Sequence, residues 1–311
     1  MPRAGHPRDE PGSRPPLQRP ETDARPSPIA GQWYPGHPRR LAVAVDGYVG
    51  AAKSTAPAGT VVALLAPHAG YRYSGVIAGE AFAVVRGQRP ALVAVVGPMH
   101  EPGAGPVLTS GHSAYLTPLG AVPVDADAAR ALDTALRAEL GRGVGAVRND
   151  GEHSVEIELP FLQRVLAGPF SLLPLMIRED DARVVAALGR ALGRVIEGRA
   201  ALLVASTDLS HHYSQRLAAQ FDGELLRRVE TLDPDSVLGA EAEGAGFACG
   251  IGALAAVLWA ARTLGADDVR VLRHATSGDV TGDYGRVVGY AAAAVTRSGA
   301  TGPGPSHATR G

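Results

Sequence analysis

Six nearly continuous apolar runs, rich in β-branched residues, punctuate the chain: Val61–Ala66, Ala91–Val96, Ser171–Ile177, Ala200–Ala205, Val269–Leu272 and Arg286–Val295. Between several of them the apolar positions switch to a helical period, over Asp127–Leu140, Val155–Leu166, Asp181–Ile196, Leu217–Leu232 and Ile251–Leu264. Strands apolar on both faces, alternating with amphipathic helices, predict a single α/β domain. Its central sheet is expected to be largely parallel or mixed, with helices on both faces. Ser113–Val124 breaks the rhythm and reads as a short hairpin or loop excursion. The flanks lack periodicity. Residues 1–28 hold eight prolines and five arginines and read as a disordered tail, as does 297–311, which leaves 29–296 as the domain.

Composition narrows the function classes. Apolar residues make up 45% of the 311 positions and aromatics only 5%, so the core is expected to be Ala, Val and Leu. A net charge of −1 gives no global field for nucleic acid or an anionic membrane. Residues 244–261 run 18 positions without a charge, but four glycines crowd their start and the helical pattern begins only near Ile251. That stretch reads as a buried helix and not as a membrane span. Residues 1–28 contain no apolar core of a signal peptide, and the single cysteine, Cys249, excludes an intramolecular disulfide; both point to the cytoplasm.

Candidate chemistry collects directly after the strands. Val61–Ala66 runs into Pro67-His68-Ala69-Gly70-Tyr71, Ala91–Val96 into Gly97-Pro98-Met99-His100, and Ala200–Ala205 into Ser206-Thr207-Asp208-Leu209-Ser210-His211. In an open parallel sheet these carboxyl ends share one edge, where ligands bind, so three distant His-bearing segments can converge. Asp208 and His211 would share one face of a helix starting near Thr207, with Asp208 equally suited to cap it. Gly70 and Gly75 would permit a tight loop carrying Tyr71, Arg72 and Tyr73 toward the crevice. His153, ahead of an apolar helix stripe and beside the possible caps Asp150 and Ser154, could face the crevice with its pKa lowered by the helix dipole. Cys249, in a loop feeding a buried helix, is either a small buried hydrophobe or a thiolate favoured by the helix N-terminus. Neutral imidazoles and a thiolate would suit iron, copper or zinc over magnesium or calcium.

Other motifs fail. Gly141–Ala146 fits a dinucleotide fingerprint only in spacing, since no strand leads into it, and Gly47–Ser54 is one residue short of a P-loop. There is neither a nucleophile elbow nor an H-E-x-x-H run.

Six blocks in register give a more specific signal. They are Ala30-Gly31-Gln32-Trp33-Tyr34-Pro35, Ala66–Gly75, Gly97-Pro98-Met99-His100, Glu152–Pro160, Ser206–His211 and Cys249-Gly250. Together they resemble the Memo family, labelled in prokaryotes AmmeMemoRadiSam system protein B, over essentially the whole predicted domain. The resemblance implies a fold similar to class III extradiol (LigB-like) dioxygenases and a metal-binding redox pocket. It implies iron or copper held by His68, His100 and Cys249, with Asp208 and His211 as catalytic residues and His153, Tyr71, Tyr73 and Arg72 around them. It also implies a functional link to AMMECR1-type and radical-SAM proteins, and small-molecule or peptide ligands. Relatives often carry a second histidine where Glu101 stands, and a proline shortly after the cysteine, which this chain lacks. Two other readings of the same residues are a non-catalytic peptide- or anion-binding crevice, supported by Arg72, and a Cys–His hydrolase using Cys249.

Overall fold

The computed structural model describes residues 23–102, 105–178 and 180–299. In chain order, β1 (Ala24–Arg25) and α1 (Pro38–Gly50) precede β2 (Thr60–Ala66), α2 (Tyr71–Ala83) and β3 (Leu92–Pro98). An excursion follows, comprising β4 (Val107–Ser110), β5 (Ala114–Thr117), β6 (Gly120–Pro123), α3 (Ala126–Leu140) and β7 (Gly145–Val147). A 3-10 turn (Glu156–Glu158) leads into α4 (Leu159–Val165), then β8 (Ser171–Ile177), α5 (Ala182–Ile196) and β9 (Ala201–Ser206). The chain closes with β10 (His211–Tyr213), α6 (Gln215–Glu230), α7 (Pro234–Ala242), α8 (Ile251–Thr263), β11 (Asp268–Thr276), α9 (Gly278–Thr281) and β12 (Val287–Arg297).

Nine strands form one mixed sheet in the order β10-β12-β2-β9-β3-β8-β4-β7, with β11 also on β12. Its centre, β2-β9-β3-β8, is parallel, whereas β12 is antiparallel to β2 and β4 to β8. The strand period of two divides the apolar side chains between two cores. Leu92, Ala94 and Val96 of β3 face α3, α5 and α8, and Val93 and Val95 face α1, α2 and α4. The molecule is thus a single α/β domain with helices on both faces. The hairpin expected in Ser113–Val124 is β5–β6, and its other edge is taken by β1.

Two expected boundaries move. Residues 23–28, assigned to the N-terminal tail, belong to the folded body, because Arg25 is 1% exposed and locked to the 150–156 segment. The tight loop expected at Gly70–Gly75 is instead the start of α2. Gly75 is needed there for close packing, since a Cβ at this position would sit 2.7 Å from the Tyr48 ring on α1. The Ala-rich segment is the 13-residue α8, buried between α5 and the sheet, and no helix among the described residues is long and apolar enough to cross a membrane.

Candidate metal centre

Strand order decides the site. Since β9 lies between β2 and β3, the segments leaving all three strands are immediate neighbours at one edge of the sheet. His68 follows β2, Asp208 follows β9 and His100 follows β3. The loop ahead of the 3-10 turn brings in His153, which sits close because Gly97 has no side chain: a Cβ there would meet Ser154 Oγ at 2.6 Å. His153 lies face to face with His100 at 4.8 Å between ring centroids and edge-on to His68 at 5.2 Å. The donor nitrogens of His68, His100 and His153 all lie within 4.8 Å of one another, so these three residues can hold a metal ion.

Hydrogen bonds behind the rings aim them. His68 Nδ1 contacts Ser206 Oγ at 3.1 Å, and Ser206 in turn is 2.9 Å from Glu158. His100 Nδ1 sits 3.1 Å from Glu152, and His211 Nδ1 donates to the carbonyl of Leu209 at 2.8 Å. In all three the Nδ1 side is engaged, so Nε2 presents the lone pair a metal or an acid–base role requires. Burial lowers His68 and His211 below the ordinary imidazole value and takes His153 down to about 4, so all three rings are neutral. For His153 the dominant cause is desolvation, in place of the helix dipole expected from its position ahead of the apolar stripe. His100 runs the other way, raised by its hydrogen bond to Glu152. Burial opposes ionisation of Glu152, but His100 and the backbone amide of Ser154 together hold its carboxyl well below the usual range.

The remaining expected residues fall at different depths. Asp208 is buried, its Oδ1 accepting from the amides of His68 and Ala69 at 2.9 and 3.2 Å, and burial pushes its pKa up to about 7. The helix expected from Thr207 does not form: Thr207–Ser210 is a loop, His211 opens β10, and helix α6 begins only at Gln215. Asp208 therefore caps nothing and braces the loop of His68 instead. Cys249 Sγ is 3.0 Å from His68 Nε2 but stands outside the three-imidazole group. Burial pushes its thiol up to about 12, the reverse of the thiolate a helix N-terminus would favour.

Tyr73 lines the cleft, as expected, while two neighbours do not. Tyr71 is buried in the core, its hydroxyl donating to the Ile157 carbonyl at 2.8 Å, because α2 turns that side chain inward. Arg72 is exposed on the same helix and stacks over Tyr73 at 5.8 Å, outside the cleft lining. Glu101 is also outside the lining; its carboxylate accepts from the amide of Gly151 at 2.9 Å and so steadies the loop of Glu152 and His153. Asp150 and Ser154 do not cap the helix: Asp150 pairs with Arg25, and Ser154 Oγ donates to the Pro98 carbonyl.

The cleft has a volume of about 620 Å³, within the range of small-molecule sites. Trp33, Tyr73, Tyr290, Gln32, Ser277 and Arg286 line it together with the imidazoles. Sequence reasoning missed Arg286, Tyr290 and Ser277. They lie more than 60 residues beyond His211, and only the antiparallel return of β12 alongside β10 brings them to this edge.

The chain as a whole matches a known group. A family model described as Memo-like protein matches residues 25–294. MEMO1 family proteins of Methanopyrus kandleri and Thermotoga maritima are each 33% identical to this chain, over 85% of it and 96% and 97% of their own lengths. One from Nitrosopumilus maritimus is 30% identical, over 85% of this chain and 96% of its own. The chain belongs to the Memo-like family.

Proposed function

We propose that the cleft is a mononuclear transition-metal centre of a redox, dioxygenase-like enzyme, with iron or copper as the ion. The observation that carries this reading is the convergence of three imidazoles within 4.8 Å: burial keeps His68 and His153 neutral, and His68 and His100 have their Nδ1 side anchored to a polar group behind. His68 and His100 are the primary donors and His153 the third; Cys249, in contact with His68, joins them once its proton is displaced. Imidazole with a sulfur donor suits iron and copper and disfavours hard cations. When bound, such an ion supplies Lewis-acid activation and one-electron chemistry to a ligand in the cleft.

The chain's own residues do the rest. Trp33 packs on the ring of His153 at 4.1 Å between centroids, and Tyr290 lines the same cleft. Asp208, balanced near pH 7, can hold or release a proton beside the imidazoles. His211 faces the same cleft with a free Nε2 and a lowered pKa, the properties of a general base near neutrality. The kinship with class III extradiol dioxygenases belongs to this same reading, since strand-exit histidines with an adjacent acid–base pair are what such chemistry needs.

The hydrolase alternative has the right contact, Cys249 Sγ against His68 Nε2, but the wrong electrostatics. A thiol pushed up to about 12 beside an imidazole that burial keeps from protonating is not an activated nucleophile. Anaerobic titration with Fe(II) and Cu(I), comparing wild type with His68→Ala, tests the proposal. Binding in the wild type that disappears in the variant supports it, and equal stoichiometry in both overturns it.

A further inference from the structure

Arg286 is the one guanidinium in the lining of the cleft. It is exposed at the mouth and, among the described residues, has no hydrogen-bond, ion-pair or ring partner. Its backbone is nevertheless held firmly. Gly285 donates to Asp283 Oδ1 at 2.9 Å, Gln215 donates to the Tyr284 carbonyl at 2.9 Å, and Val288 pairs with His211 across the β10–β12 ladder. The turn thus fixes a charged group at a set distance along the chain from the strand that bears His211. Asp283 lines the same rim but does not pair with Arg286, so the guanidinium keeps its donors for something else.

The other walls specify the rest of the ligand. Trp33, Tyr73 and Tyr290 line the same cleft, together with His68 and His153, whose imidazoles burial keeps neutral. A guanidinium offers parallel N–H donors that match the two oxygens of a carboxylate, and such charge-assisted pairs are about twice as strong as neutral hydrogen bonds. A single cation suits a single negative charge better than the double charge of a phosphate monoester.

We propose that Arg286 is the specificity residue of this cleft. It pairs with the carboxylate of a small organic monoanion whose apolar body lies along Trp33, Tyr73 and Tyr290 toward the imidazoles. The proposal rests on reading this cleft as the substrate site and names the class of substrate it takes.

Calorimetric titration of the full chain with benzoate, benzamide and phenyl phosphate tests it, on wild type, Arg286→Gln and Arg286→Lys, each with and without Fe(II) under anaerobic conditions. Arg286 is exposed, so both variants should fold, and the lysine variant checks that charge is the operative property. Benzoate should bind the wild type about 10-fold or more tighter than Arg286→Gln, with Arg286→Lys between them, and benzamide should bind weakly and equally to all three. Equal benzoate affinity in wild type and Arg286→Gln overturns the proposal. So does benzamide binding as tightly as benzoate, or phenyl phosphate binding more tightly with the same Arg286 dependence. Arg286-dependent benzoate binding by a chain that takes up no Fe(II) or Cu(I) would support this proposal and sink the metal centre alone.

Discussion

At the scale of single residues, the site is governed by what stands behind each histidine. Ser206 holds the ring of His68, and Glu152 holds that of His100 while also accepting from the amides of His153 and Ser154 at 2.8 Å. Loss of such a partner typically costs 10–100-fold in metal affinity. Ser206→Ala should therefore weaken Fe(II) binding by roughly that factor in an anaerobic titration while leaving the circular dichroism spectrum unchanged. Cys249→Ala should lower the affinity without changing the stoichiometry, since Cys249 touches only His68 among the three imidazoles. Glu158 behaves as a buried neutral acid, because burial raises its carboxyl well above the usual range and Oε2 has no partner.

The same burial gives the metal-free protein an acid weakness. His68 and His153 are neutral in the fold, with pKa values lowered from 6.5, that of His153 to about 4, whereas in the unfolded chain both recover the ordinary value. The unfolded state then binds more protons at these two rings below pH 6.5, so their contribution to stability falls as the pH drops from there toward about 4, while Asp208, raised to about 7, contributes with the opposite sign over the same range. Urea midpoints of wild type and His153→Phe compared between pH 7.5 and 4 isolate the His153 contribution: the variant should lose less stability on acidification than the wild type, and equal slopes in both would rule His153 out as a source.

Among elements, the order β2-β9-β3 does most of the positioning, and much of it was readable from the chain. Near-continuous apolar runs ending in Pro67-His68, Met99-His100 and Thr207-Asp208 mark parallel strands whose exits share an edge. Which strand lies beside which was not readable, because inter-strand pairing is set by long-range packing and every run is apolar on both faces. The i, i+3 spacing of Asp208 and His211 misled for a related reason. His211 is drawn into β10 by pairing with Val288, and that tertiary bond outweighs a local helical pattern. Close packing between elements was equally silent in the sequence. Gly97→Val should push Ser154 away from β3, displace the loop of Glu152 and His153, and reduce metal affinity as well as melting temperature. A variant with lowered stability but wild-type Fe(II) affinity would show that this loop does not set the site.

For the whole molecule, the largest departure from the sequence reading is its N-terminal boundary. Proline-rich composition extended the tail to residue 28, yet Arg25 is as buried as any core residue. Burial works against its charge, but the carboxylates of Asp150 and Glu156, both at 2.7 Å, hold it protonated, and Tyr115 lies beneath the guanidinium. One arginine in a tail of five carries no periodic signal, so composition could not reveal it. Arg25→Met should destabilise the fold by about 3–5 kcal/mol by leaving two buried carboxylates unpaired, readable as a fall in the urea midpoint. The single cysteine, conversely, was legible from the start, although its chemistry was not: the sequence left open a small buried hydrophobe or a thiolate at a helix N-terminus, and desolvation in the fold favours the first.

The central claim is that strand exits separated by much of the chain converge into one metal-binding site. Its most direct test is metal content, measured by anaerobic Fe(II) and Cu(I) titration of wild type, His68→Ala and His153→Ala with melting curves as a folding control. One ion per wild-type chain is expected, with none retained by folded His68→Ala and weakened binding in His153→Ala. Wild-type stoichiometry and affinity in folded His68→Ala would contradict the account.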